Sequence, residues 1–366
     1  MERRGRLPPP YTLIDLADFG TIREYLGKSN MTDMYKRFLY GFIICIVYIA
    51  AAAAQLSAVE TVLFQEQAYS GSITYNEKAQ PGDAVFARLS IKLSPTVRNG
   101  ALQNPAAVLQ LFNGKKSIAS AQFFLTNPKG SNLQNSTAGT VDMLAGIPLS
   151  TWLSGKDAYS LKVIISATRG QEKDVPLPFA IQEKQFVSER IPLDARNTGI
   201  RRDTSPERAA QIEKLNNILA TVTPQDVYTL EPFTLPVESK RITSGFGDRR
   251  IFEYTDKTTS ISLHYGIDYG VPTGTPVYAC AAGKVMLAES RISTGWSVVI
   301  EHLPGLYSLY YHLDSLNVHE GQYVNQGEKL GHSGATGLAT GPHLHWEIRL
   351  NMEAVNPEFF LKDFSF

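Results

Sequence analysis

From Val59 to about Arg190, apolar and polar residues alternate in short runs separated by turn residues. The clearest runs are Ser72-Ile73-Thr74-Tyr75, Ala84 through Ile91, Val108 through Phe112 and Tyr159 through Ile165. Gln80-Pro81-Gly82-Asp83, Asn113-Gly114 and Asn127-Pro128-Lys129-Gly130 punctuate them. A period of two, broken by Gly, Pro and Asn, predicts strands. Strands of this length and spacing predict a mainly β protein whose residues 59–200 form an Ig-like β-sandwich. This stretch holds no histidine and no catalytic constellation, so an accessory role is expected of it.

Near Asp203 the period changes. Thr204-Ser205-Pro206-Glu207 places a hydroxyl cap, a first-turn proline and an acid in sequence, and Ile212, Leu215, Ile218 and Leu219 come after it at helical spacing. This predicts an amphipathic helix within a linker, residues 201–232, packed on one of the flanking β domains. From 233 to 366 short strands return, among them Thr275–Ala279, Lys284–Leu287, Ser297–Ile300 and Leu309–His312, with glycine-marked turns. An antiparallel sheet is expected there.

Ahead of the sandwich, Lys36-Arg37 leads into an uncharged apolar run, Phe38 to Ala54, at the short edge of what spans a bilayer. The basic flank, apolar middle and alanine end predict a signal peptide, with an uncleaved transmembrane anchor as the alternative. Either one puts the bulk of the chain outside the cytoplasm, in periplasm, cell envelope or medium. Residues 1 to about 33 fit neither picture, and Met31 or Met34 is the expected translation start. Cys45 lacks the preceding small residue of a lipoprotein signal, so no lipid is expected.

With 366 residues the chain exceeds one ordinary core. A formal net charge of zero removes the electrostatic footprint of a nucleic-acid binder. Only Cys45 and Cys280 are present, so no disulfide framework supports the fold.

The chemistry lies near the C-terminus. All seven histidines fall between His264 and His345, and Thr340-Gly341-Pro342-His343-Leu344-His345-Trp346-Glu347 sets two of them one residue apart. On a strand both point to one face, roughly 7 Å apart. One imidazole could then hold a metal while the other meets what the metal activates. Taken singly, each histidine reads more simply as a hydrogen-bonded structural residue.

Taken together, His264-Tyr-Gly-Ile-Asp268, Gly274-Thr-Pro-Val277, Tyr310-Tyr-His312-Leu313 and the His343/His345 segment resemble the lysostaphin-type (LytM-type) zinc metalloendopeptidases of bacterial cell walls. The resemblance covers about residues 233–360, with Ile242-Thr243-Ser244-Gly245-Phe246-Gly247 and Arg249 or Arg250 as the leading strand. It implies an antiparallel β-sheet peptidase domain with a groove holding one zinc ion. Its metal ligands would be His264, Asp268 and His345, matching the three protein ligands and one open position of catalytic zinc. It implies catalytic roles for His343, helping to deprotonate the water, and for His312, steadying the oxyanion. The implied substrate is the peptide cross-links of peptidoglycan. His302, His319 and His332 match no ligand position, and Cys280 reads as a small buried residue.

Two other classes compete. Some relatives have lost the zinc site and activate wall amidases, but they lack several of the five residues kept here. Gly321 through Leu330 resembles lipoyl-carrier and sugar-phosphotransfer folds, which lack His264-x-x-x-Asp268 and are cytoplasmic.

Overall fold

The computed structural model describes residues 59–94, 102–127, 140–168, 171–361 and 366. The apolar run 38–54 and everything before it lie outside the described residues, and no helix among the described residues is long and apolar enough to cross a membrane. The architecture is mainly β, built of antiparallel sheets.

The N-terminal part pairs two sheets. Val59–Gln65, Tyr69–Asn76, Ala84–Leu93, Thr140–Pro148 and the short Phe124–Leu125 make one, and Leu102–Asn113, Lys116–Gln122, Tyr159–Thr168 and Gln171–Pro178 make the other. Their inner faces share one core: Val85, Ala87, Leu89 and Ile91 meet Leu109, Leu111, Val163 and Ile165, all at 1% exposure or less. Period-two alternation produces this face. The turn before it is also as read, since Pro81 leads Gly82 at φ 90° and the Asp83 N–H donates to the Gln80 carbonyl at 3.1 Å.

The strand Ala84–Leu93 also joins the sandwich to the C-terminal region. Its other face carries Ala84 and Phe86, which enter the core of that region together with Leu144. Phe86 packs edge-on against Phe360 and Phe366, with centroids 6.0 and 5.2 Å apart. Burying a phenylalanine stabilises by about 1.5–3 kcal/mol. The run Ala84-Val85-Phe86-Ala87 is apolar at every position because both of its faces are covered.

Two helices connect the parts. The first, α1 (Ala195–Arg202), is short and rich in polar residues, and hydrophobic spacing gave no sign of it. Its cap, Asp194, accepts from the Asn197 N–H at 2.7 Å. The second, α2 (Pro206–Ala220), opens as its sequence indicates, with Ser205 accepting from the Arg208 N–H and proline in the first turn. Leu215, Ile218 and Leu219 pack against Leu287, Val299, Tyr307, Leu309 and Tyr311 on the back of the C-terminal sheet. Ile212, expected in the same stripe, is instead 44% exposed.

The C-terminal sheet has ten antiparallel strands. Its central order runs Ile242–Ser244, Gly266–Tyr269, Leu344–Leu350, Leu306–Leu316, Gly295–Leu303 and Gly283–Arg291. Along Leu306–Leu316, Leu306 and Tyr310 face one core while Tyr307, Leu309 and Tyr311 face the other. His312 breaks this alternation with φ 61°, so Leu313 joins the core of Tyr310. A smaller sheet stands beside it: Ser188–Pro192 runs parallel to Arg249–Glu253, which pairs antiparallel with Thr259–Leu263. The strand Ser188–Pro192 falls within the residues assigned by sequence to the sandwich, yet its hydrogen bonds go to Arg249–Glu253 of the C-terminal region. Its polar-apolar alternation fits either sheet, so only long-range pairing decides which.

Candidate metal centre and active site

Register builds the centre. Gly266–Tyr269 lies antiparallel to Leu344–Leu350 with Asp268 directly opposite His345, and on the other side Tyr311 stands opposite the same histidine. Directly opposed side chains on one face are the closest cross-strand neighbours. His264, just before the strand, turns inward to meet them. His264 Nε2, Asp268 Oδ1 and His345 Nδ1 form a triangle with edges of 3.1, 2.9 and 3.1 Å. All three residues are buried, at 2%, 6% and 7% exposure.

The outer nitrogens fix the protons. His264 Nδ1 lies 2.6 Å from the Gly245 carbonyl, which can only accept, so that nitrogen carries the hydrogen and Nε2 presents a lone pair. His345 Nε2 lies 3.1 Å from Glu347 Oε2, and donating there leaves its Nδ1 lone pair facing inward. Three acceptors therefore converge within hydrogen-bonding distance. They repel unless a proton or a cation lies among them.

The electrostatics point the same way. Burial would raise the Asp268 carboxyl, but the imidazoles of His264 and His345 beside it hold it well below the usual carboxylate range. Burial opposes charge on His345, yet Asp268 and Glu347 outweigh it and lift the ring to about 9. Burial pushes His264 down. A proton on His345 and a divalent cation thus compete for one place. Two imidazoles and a carboxylate suit zinc, and a tetrahedral ion with bonds of about 2.0–2.1 Å sets its ligands roughly 3.3 Å apart. The residues fit the ion.

An outer layer holds these groups. Arg250 donates from Nη2 to Asp268 Oδ2 at 2.5 Å and from Nε to Glu189 Oε1 at 3.0 Å, and Glu189 also accepts from Ser244 Oγ at 2.9 Å. Glu347 is bonded by Arg349 on its other oxygen. Burial would raise the Glu347 carboxyl, but Arg349 and His345 keep it ionised. The Tyr311 ring stacks on His345, 5.3 Å between centroids and 6° from parallel.

His312 and His343 stand beside the triangle, with ring centroids 4.7 Å apart, and His343 Nε2 is 3.7 Å from Asp268 Oδ1. His312 Nδ1 donates to the Thr336 carbonyl and His343 Nδ1 to the Gly341 carbonyl, both at 2.8 Å. Each therefore turns Nε2 away from its anchoring carbonyl. Burial, with His343 and His345 nearby, pushes His312 down to about 3. A groove of about 310 Å³ opens over all five residues.

The structure thus brings together His264, Asp268, His345, His312 and His343, as the sequence expects. His302 lies in the core and bonds Ser308 Oγ (2.7 Å) and the Ala282 carbonyl (2.8 Å). His332 bonds Ser315 Oγ at 2.9 Å and His319 bonds the Glu320 carbonyl at 3.1 Å. Cys280 is fully buried. Sequence reasoning did not assign roles to Glu347, Arg250 or Glu189. For Glu347 a signal existed, because it comes two residues after His345 and so shares its face. For Glu189 there was none.

A buried triad of two imidazoles and a carboxylate, with two further histidines beside it on a groove, has the composition of a metal-dependent hydrolase site. Residues 262–357 match the family model Peptidase family M23, and the C-terminal part of this chain is a peptidase family M23 domain. Among curated relatives, the peptidoglycan DD-endopeptidase ShyA of Vibrio cholerae is 40% identical over 122 residues, covering 33% of this chain and 28% of that protein. Among solved structures, the catalytic domain of the antimicrobial peptidase lysostaphin from Staphylococcus simulans is 32% identical. It covers 34% of this chain and 92% of that one, with a TM-score of 0.30. A crystal structure of a putative peptidase M23 from Pseudomonas aeruginosa is 22% identical, covering 78% of this chain and 96% of that one, with a TM-score of 0.49. The chain spans less than a third of the length of the ShyA protein it matches.

Proposed function

We propose that the protein is an exported zinc metalloendopeptidase that hydrolyses peptide cross-links of peptidoglycan. The observation that carries this reading is the convergence of three lone-pair atoms, from His264, Asp268 and His345, beneath a groove that also holds His312 and His343. The similarity to a peptidoglycan DD-endopeptidase supports the substrate class.

In this mechanism His264, Asp268 and His345 hold the ion. Bound there, zinc would supply a Lewis acid that lowers the pKa of water toward neutrality. His343, whose Nδ1–H is committed to the Gly341 carbonyl and whose Nε2 is therefore an acceptor, would take the proton of the attacking water. His312 also starts as an acceptor at Nε2, because its Nδ1–H is committed to Thr336. The proton that His343 takes from the water, handed on across the 4.7 Å between the two rings, would make His312 a donor, able to steady the oxyanion and then to pass that same proton to the leaving amine. Arg250 orients Asp268 through its second oxygen, and Glu347 keeps the His345 tautomer.

Export rests on the basic flank and apolar run at residues 36–54, as signal peptide or anchor. The test is digestion of purified peptidoglycan sacculi with the protein, with and without a chelator, and mass spectrometry of the products. Chelator-sensitive release of peptides cut at a cross-link is expected. Intact sacculi with zinc-loaded protein would overturn the proposal.

A further inference from the structure

Two arginines, Arg201 and Arg250, line the groove, with Arg202 and Arg349 close by, and all but Arg201 have carboxylate partners. Arg250 is committed to Glu189 and Asp268, Arg349 to Glu347, and Arg202 to Asp256 through two bonds of 2.8 and 3.1 Å. Arg201 is different. Its guanidinium lies flat over the Phe252 ring, 4.0 Å from the centroid, and Nε donates to Ser260 Oγ at 3.3 Å. Its two terminal nitrogens make no hydrogen bond or ion pair with any of the described residues, and the side chain lines the groove beside the five site residues. We infer that Arg201 is a specificity-determining residue that takes a free carboxylate of the substrate peptide.

The inference rests on the peptidase reading and deepens it. The helix that carries Arg201 is held on both flanks. On one, Arg202 pairs with Asp256 and stacks on Tyr254 at 4.2 Å; on the other, buried Asn197 donates from Nδ2 to the Ala339 carbonyl at 3.3 Å. Position 201 is therefore fixed before any ligand arrives, which lowers the entropy cost of binding. Stacking on Phe252 shields one face of the guanidinium from water, and its two open N–H groups match the two oxygens of a carboxylate. Ile191 and Leu193 line the same groove and add an apolar wall. All three residues lie outside 262–357, so the segment before the family domain completes the groove. Where the linking amine sits on a carbon that also bears a carboxyl group, as at the far end of a diamino diacid, that carboxylate stays free beside the cross-link. That anion is the ligand whose chemistry suits the site.

The probes are two cross-linked peptides in which the scissile amide is replaced by a non-hydrolysable CH2–NH link. They differ only in carrying a free α-carboxylate or a carboxamide beside the link. Titration calorimetry with the zinc-loaded full chain should show the carboxylate peptide binding about 10- to 100-fold more tightly. Arg201→Gln should bring the two within about twofold, and Arg201→Lys should fall between. Circular dichroism and melting of each variant report whether α1 stays in place. Equal binding of the twin peptides to the unaltered protein overturns the inference, as does a preference that survives in a folded Arg201→Gln. If sacculi are digested but the preference is missing, the assignment of Arg201 alone fails. If neither peptide binds, it fails together with the peptidase reading.

Discussion

The two ends of the hairpin formed by Gly295–Leu303 and Leu306–Leu316 carry buried polar clusters of opposite character. At one end His312 joins His264, His343 and His345, with Asp268 and Glu347 among them and Arg250 and Arg349 behind. At the other end His302 bonds Ser308, Ser308 bonds the Tyr310 hydroxyl, and Glu301 meets Tyr307. The far cluster is the more deeply buried of the two, so burial alone does not make a site. The difference lies in the company. The partners of His302 are the Ser308 hydroxyl, the Cys280 sulfur and the Ala282 carbonyl, and burial leaves the ring neutral, pushed down to about 4. Around Asp268 the inner atoms are all acceptors, and the cluster is complete only with a positive charge at its centre.

The largest effect that could break this contrast is on metal content. His345→Ala or Asp268→Ala should lose nearly all zinc by elemental analysis and nearly all activity, because two protein ligands hold the ion poorly. His302→Ala should keep stoichiometric zinc while losing about 1–3 kcal/mol of stability, since Ser308 and the Ala282 carbonyl lose their partner. Zinc retained in His345→Ala, or lost in a folded His302→Ala, would show that the clusters have been assigned the wrong way round.

Next in size are the unligated histidines. His312→Ala and His343→Ala should each retain zinc and lose about 10²- to 10⁴-fold in kcat, with KM little changed. The double variant should lose far less than the product of the two, as both groups serve one step. Near-full turnover in both single variants would remove them from the mechanism.

Smaller again is the second layer. Glu347→Gln keeps the shape but weakens the charge that orients His345. Zinc affinity, measured by competition with a chelator, should fall about 10- to 100-fold. An unchanged affinity would mean that strand register alone, and not Glu347, positions His345.

The same physics decides how much of the fold and site could be read in advance. The expected grouping of the five site residues came from the resemblance of their motifs, and strand alternation adds only that His343 and His345 share one face. Their mutual geometry was not legible. Asp268 and His345 are 77 residues apart and meet through register, which no local pattern encodes. His312 sits at φ 61°, a conformation uncommon for a side-chain-bearing residue, and the sequence around it reads as an unbroken strand. The strand Ser188–Pro192 and α1 were missed as parts of the groove because their contacts are polar and long-range: Glu189 to Arg250 and Asn197 to Ala339. In the sandwich the inner face was plain from alternation. Coverage of its outer face showed only in the unbroken apolar run Ala84 to Ala87, whose meaning needs the partner domain.

The smallest effect concerns Glu301, the counterpart of Asp268 at the far end of the hairpin. Both are buried carboxylates, at 1% and 6% exposure, but Asp268 has imidazole and guanidinium partners. Glu301 has none so close. It faces the Tyr307 hydroxyl at 3.3 Å, with Asp226 adding negative charge and Lys284 only partly offsetting it. Burial first, and Asp226 second, push its carboxyl from the ordinary 4.5 up to about 7. A folded-state pKa above the unfolded value means that the native protein holds this proton more tightly. The stabilisation is therefore complete below about 4.5 and disappears as pH rises through about 7. Glu301→Gln supplies a permanently neutral group of the same shape. Its Tm should exceed that of the unaltered protein by a few degrees at pH 8, and the gap should close towards pH 5. A gap that is constant across that range, or that widens in acid, would show that Glu301 is ionised in the folded protein and that a cation partner serves it as Arg250 serves Asp268.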